Sequence, residues 1–234
     1  MELENQYCVF CKGLLPKNKR RKNQWHVQCH KSIYGSKSSI IFQGEIIYKK
    51  DYKILTELEK EISEKSRYHR LIKLTNFIHM FEGFGYVLSN KTVIGLDLKF
   101  QVRTSIYNLH NLETLQLTQF RTLDTAIEKL TKLRKLVLKH CSILELPATI
   151  NKLYNLESLE ISGITGLQEI PESLGKLKKL KFLKLAPINE RVKISVLPQS
   201  FSKLVNLEFF YLSSTSIKIL PEGFAPGLVY ALKC

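Results

Sequence analysis

From residue 91 onward the apolar positions of this chain recur with a fixed spelling. Leu112, Leu133, Leu156, Leu180 and Leu207 stand 21, 23, 24 and 27 residues apart, and each opens the same word. The word reads Leu112-x-x-Leu115-x-Leu117, then Leu133-x-x-Leu136-x-Leu138, then Leu156-x-x-Leu159-x-Ile161. Leu180-x-x-Leu183-x-Leu185 and Leu207-x-x-Phe210-x-Leu212 continue it. A second word follows in four of the five units, as Leu146-Pro147, Ile170-Pro171, Leu197-Pro198 and Leu220-Pro221. Behind it comes an apolar pair three residues apart, at Ile150 and Leu153, Leu174 and Leu177, Phe201 and Leu204; the unit without proline keeps this pair at Ile127 and Leu130. The alternation predicts a short strand with one buried face. The Leu-Pro turns the chain off the strand line, and the trailing pair buries one side of a short helical or extended segment. No unit can bury its apolar side alone, so the units must stack into a solenoid.

These words resemble the leucine-rich repeat over residues 92–234, in the Leu-Pro variant found in intracellular Ras-suppressor-like and plant-resistance-type proteins. The resemblance implies an α/β fold with short parallel strands on a concave face, used as a recognition frame for other proteins. The family's usual Asn, which bridges neighbouring turns, is replaced here by Cys141 and Thr215 in the two best-aligned repeats. Either side chain fills that buried slot with weaker bonding, which makes Cys141 structural and not reactive.

The ends of the array depart from the pattern, as capping units do. Gly85–Leu88 and Thr92–Leu98 alternate around Ser89-Asn90-Lys91, which predicts a hairpin whose second strand begins the solenoid. Leu55, Leu58 and Ile62 at helical spacing predict a helix within 51–66 that covers the first open edge, with Glu61 and Lys65 as an i, i+4 pair. Ile40-Ile41-Phe42 and Ile46-Ile47-Tyr48 suggest a connector strand. At the other end Leu228–Leu232 starts a further strand, whose open edge is a place for a partner or a second copy. The expected division is a module over 1–50, a helical and hairpin cap over 51–91, and the solenoid over 92–234.

Three of the five cysteines crowd into the first 29 residues, in the pattern Cys8-x2-Cys11-x14-His26-x2-Cys29. Each close pair offers two ligands from one tight turn, and three thiolates with one imidazole make a closed tetrahedral set for Zn2+. A site with no open position is structural, and metal binding then supplies folding free energy to a polar segment. His30 is an alternative to His26. From Cys8 to Cys29 the segment resembles the first half of a LIM finger, or a treble-clef zinc knuckle, without the second Cys-rich half. An odd cysteine count without an apolar leader argues against a disulfide framework and for reduced thiols in the cytoplasm.

Composition adds direction. The chain of 234 residues carries 36 Lys and Arg against 21 Asp and Glu, a net +15. Such a surplus favours anionic surfaces. No run of 18 uncharged apolar residues occurs, so a membrane-spanning helix is not expected. Residues 1–50 hold ten of the bases against three acids. Lys17, Lys19, Arg20, Arg21, Lys22 and Lys31 surround Trp25 in the zinc loop, which suggests a nucleic-acid footprint as the second functional reading. The first reading is a non-enzymatic scaffold with a protein partner on the concave face. The residues that flank the middle leucines point there, and Phe182, Lys184, Phe209 and Tyr211 form an aromatic end, with Lys135 and Lys139 further along. Catalysis has no support in motifs: Gly-x-Ser-x-Gly, the phosphate-binding Gly-x-x-x-x-Gly-Lys and His-Glu-x-x-His are all missing.

Overall fold

A computed structural model describes residues 39–42, 45–65, 72–73, 84–103, 105–186, 194–213, 217, 219–224 and 229–233. The chain divides into two compact units, Met1–Tyr52 and Lys53–Cys234. In the first, β1 (Ser39–Phe42) and β2 (Glu45–Tyr48) pair as an antiparallel hairpin, where the sequence suggested a connector strand. Helix α1 follows directly over Lys49–Lys65.

The second unit is built on one sheet. Its strands are β3 (Ile72–Lys73), β4 (Gly85–Ser89), β5 (Thr92–Leu98), β6 (Thr114–Thr118), β7 (Lys135–Lys139), β8 (Ser158–Ser162), β9 (Phe182–Ala186), β10 (Phe209–Ser213) and β11 (Val229–Lys233). Among the described residues the order across the sheet is the order in sequence, and every pair is parallel except the β4–β5 hairpin. That hairpin turns on Asn90 and Lys91, both with positive φ (48° and 65°), the pairing that matches strand twist. Two-residue β3 outside it carried no pattern in the sequence.

Register puts the leucine word into rows. Leu96, Leu115, Leu136, Leu159, Leu183 and Phe210 are lateral neighbours, and Leu98, Leu117, Leu138, Ile161, Leu185 and Leu212 form the second row. All twelve are buried. Burying one such side chain is worth about 1.5–3 kcal/mol, so the rows dominate the stability of the unit.

Opposite the sheet run a three-residue 3-10 turn, Ile106–Asn108, and four five-residue ones, Thr125–Lys129, Ala148–Lys152, Glu172–Lys176 and Gln199–Lys203. The last three begin after Pro147, Pro171 and Pro198, whose missing N–H would be unpaired there in any case. The unit without Leu-Pro has Asp124 at this place, and its carboxylate accepts from the Ala126 N–H at 2.7 Å. A side-chain cap thus does the work of the proline. Ile127, Ile150, Leu174 and Phe201 point inward from these turns and are buried.

Helix α1 buries Leu55, Leu58 and Ile62 completely. Its last turn is fastened to the chain after β5: Glu61 accepts from the Arg103 N–H at 2.7 Å and from Lys65 Nζ at 3.0 Å. Lys65 also donates to the Gln101 carbonyl and stands 5.2 Å over the Phe100 ring. At the other end Phe224 packs on Phe210 and Phe201, with centroids 5.3 and 6.1 Å apart.

Candidate functional site

The polar positions between buried leucines lie on the outer face of the sheet, the face expected to be concave. Three rows run across it. Gly95, Thr114, Lys135, Ser158, Phe182 and Phe209 form one; Asp97, Gln116, Val137, Glu160, Lys184 and Tyr211 form the middle one. Thr118, Lys139, Ser162 and Ala186 form the third. The sequence treats those of β6 to β10 as available, and the structure does not. Asp97, Thr114, Gln116 and Val137 are buried, so the amino-terminal end of the face offers little to a ligand. The accessible part begins with Lys135 and Lys139 of β7 and widens from β8.

There the expected residues come together. Phe182 and Phe209 are register neighbours, as are Lys184 and Tyr211. Phe209 is 50% exposed, whereas Phe182, Lys184 and Tyr211 are half-buried. Lys184 Nζ reaches Glu160 Oε1 at 3.1 Å and stands 5.7 Å from the Tyr211 ring centroid. Ser162 Oγ donates to the same carboxylate oxygen at 3.2 Å. A pair this open to solvent adds little stability. Its effect is to neutralise Lys184 and fix it over Tyr211, leaving a rigid and largely apolar platform. Exposed Lys135 and half-buried Lys139 belong to β7 and are not part of this cluster.

Glu160 is one of the residues that flank the middle leucines, and its role as the partner of Lys184 was not legible in the sequence. Sequence reasoning also missed a ladder at the entrance to each strand. Asn-Leu-Glu at 111–113, 155–157 and 206–208 alternates with Lys132-Leu133-Arg134 and Lys179-Leu180-Lys181. Lys132 Nζ donates to Asn111 Oδ1 at 2.8 Å, and Lys179 Nζ to Asn155 Oδ1 at 2.7 Å. Asn155 Nδ2 donates to the Thr131 carbonyl and Asn206 Nδ2 to the Lys178 carbonyl. Arg134 forms an ion pair with Glu157 at 2.6 Å. Donor-bearing turns therefore alternate with acceptor-bearing ones.

Cys141 occupies the slot assigned to it. It is fully buried, with Sγ 3.3 Å from the Lys139 carbonyl and 3.5 Å from that of Leu117. Burial pushes its thiol pKa up, which suits an inert residue. The equivalent Phe120 and Ile164 are buried and apolar, while Gln101 Oε1 accepts from the Arg121 and Thr122 N–H groups at 3.2 and 3.3 Å. Thr215 lies outside the described residues.

So do the expected zinc ligands Cys8, Cys11, His26 and Cys29, the alternative His30, and the basic loop with Lys19, Arg20, Arg21, Lys22 and Trp25. Among the described residues no group of three or more His, Cys, Asp or Glu could hold a metal ion. No helix among them is long and apolar enough to cross a membrane.

No family model matches the chain, and no curated protein matches it either. Solved structures do. A Pollen Receptor Kinase 3 structure aligns with a TM-score of 0.53 at 18% identity, over 75% of this chain and 92% of that one. A plant ice-binding protein aligns at 0.53 and 20% identity, over 72% and 57%. A leucine-rich-repeat protein of Leptospira interrogans aligns at 0.42 and 18% identity, over 69% and 54%. The matched region is thus about half the length of the Leptospira protein. At such identities the likeness is one of fold. With the in-register leucine rows and the stacked 3-10 turns, the second unit is a leucine-rich-repeat solenoid of α/β type.

Proposed function

We propose that this chain is a non-enzymatic interaction scaffold that takes a protein partner on the outer face of the sheet, at the platform of Phe182, Lys184, Phe209 and Tyr211. The observation that carries the reading is the half-exposed Phe209 ring beside two further aromatics on a rigid sheet, with the nearby charge already neutralised. Aromatic anchors of this kind supply most of the free energy at protein interfaces. Lys135 and Lys139 stand at the rim, where they steer a partner more than they hold it. The test is the affinity of a partner recovered by cross-linking from the source cells. Phe209→Ala with Tyr211→Ala is expected to weaken it tenfold or more while the melting curve is kept. Unchanged affinity in the folded double variant overturns this surface.

The same reading includes a structural zinc module in residues 1–50, held by Cys8, Cys11, Cys29 and either His26 or His30, in a cytoplasmic protein. Its support is the spacing of those residues and their chemistry. Full-length protein should carry about one zinc per chain by elemental mass spectrometry. Cys11→Ser should lose it, and metal-free wild type from zinc-replete medium rejects the module.

A further inference from the structure

The four segments that lead from the five-residue 3-10 turns back to the strands, 129–132, 152–155, 176–179 and 203–206, contain seven lysines and not one Asp or Glu. Lys129, Lys152, Lys176 and Lys203 occupy the same place in consecutive turns, the last residue of each 3-10 helix, and all four are exposed. The turns are in register: Thr149 Oγ1 donates to the Thr125 carbonyl, and Ser200 Oγ to the Glu172 carbonyl one turn away. The lysines therefore stand in single file, at intervals of about 5 Å set by the strand spacing.

Beside this file, Lys132 and Lys179 donate to Asn side chains and Lys178 to the Lys203 carbonyl at 2.8 Å. All three acceptors are neutral, so the amines are oriented while their charge stays uncompensated. The opposite flank is different. Its described segments 119–124, 140–146, 163–169 and 194–196 hold Arg121 against Asp124, Glu145 and Glu169. Of these two flanks, the one with the lysine file carries the positive charge.

We propose that this lysine file is a binding site for a single-stranded nucleic acid, with the phosphodiester backbone running along the solenoid. The strip is only one or two side chains wide: Glu113, Glu157 and Glu208 bound it on the strand side, and Glu128 and Glu172, the latter held low in pKa chiefly by its hydrogen bonds to Ser200 and also by the charge of Lys203, bound it on the turn side. Those carboxylates leave a line open to a linear polyanion but oppose a plane of anionic lipid headgroups. Tyr154, 55% exposed, stands among the lysines and offers a face on which a base can stack. This site shares no residue with the outer-face platform or with the basic loop at 17–31.

The experiment titrates full-length protein with a labelled mixed-sequence 20-nucleotide RNA across a salt series. Wild type should bind with a steep salt dependence. Replacing Lys129, Lys152, Lys176 and Lys203 by Ser should weaken binding tenfold or more and flatten the log–log salt slope by about 3, at roughly 0.7 per phosphate contact. Because these side chains are exposed, the variant should melt with wild type, which separates lost binding from lost fold. Tyr154→Ala should weaken RNA binding several-fold and leave binding of inorganic polyphosphate unchanged. Absent RNA binding overturns the proposal, and so does binding abolished by Arg20→Ser, Arg21→Ser and Lys22→Ser yet indifferent to the lysine file. Binding of phosphatidylserine vesicles or poly-glutamate in preference to RNA overturns it as well.

Discussion

Gly175 sits in the turn Glu172–Lys176, where a side chain has no room. A Cβ built there stands 2.3 Å from the Ser200 carbonyl oxygen and 2.5 Å from Ser200 Cβ and Oγ. The need for glycine is spatial, and the obstruction is backbone, which cannot swing aside as a side-chain tip does. Gly175→Ala must push the turn Gln199–Lys203 away by roughly 1 Å to restore ordinary contact. That displacement strains the bonds holding the turns together: Ser200 Oγ to the Glu172 carbonyl at 2.8 Å, and the Ser200 and Gln199 N–H groups to the Glu172 carboxylate at 3.1 and 3.2 Å. It also lifts Phe201, now fully buried. Overpacking costs about 1–3 kcal/mol and weakened hydrogen bonds about 1 more, for an expected loss of about 2–4 kcal/mol. In a chain of this size the melting temperature should fall by about 5–15 °C. Urea unfolding followed by circular dichroism measures the loss, and faster hydrogen exchange at the Ser200 amide locates it. A loss below about 0.5 kcal/mol would refute the steric reasoning.

Gln119, His140 and Gly163 hold the same place after β6, β7 and β8, and all have positive φ (60°, 50° and 67°). Only the third is a glycine, so His140→Gly should stabilise the protein by about 1 kcal/mol in chemical denaturation, and an unchanged midpoint counts against strain at this corner. Tyr107 is buried with its Oη accepting from the Asp124 N–H at 3.3 Å, and desolvation pushes its pKa up to about 12. The folded state keeps this proton longer than the unfolded chain, so the contribution is intact below pH 10 and lost as pH rises toward 12. The stability advantage of wild type over Tyr107→Phe should shrink by up to about 2.7 kcal/mol across that window, and a difference independent of pH rejects the assignment.

The solenoid was legible because its signal is redundant. Five copies of one word fix strand, inward face and register together, and one residue of slip would turn Leu115 and Leu117 out of the core. The hairpin over Gly85–Leu98 and the helix carrying Leu55, Leu58 and Ile62 were legible from periodicity alone. What escaped depends on contacts between turns. Burial of Thr114, Gln116 and Asp97 cannot be read from a polar residue at an outward position. The left-handed residues Gln119 and His140 carry no glycine or asparagine to announce them. Two-residue β3 is too short to have a period. The aromatic platform was found because its residues are large and recur at strand positions, but its neutral charge follows from Glu160 meeting Lys184 across neighbouring strands.

The alternation of acceptor and donor turns gives the array a hidden unit of two repeats. Leu112 and Leu156 are 44 residues apart, Leu133 and Leu180 are 47, and Leu156 and Leu207 are 51. Excising a single turn would set like against like. Without the middle turn Lys132 would face Lys179 and Arg134 would face Lys181, with no Asn155 or Glu157 between them. Excising two adjacent turns restores the original kind of neighbour at the seam. Growth or shrinkage of such a chain by recombination is then permitted in even steps and penalised in odd ones, a parity rule written in the contacts between neighbouring turns.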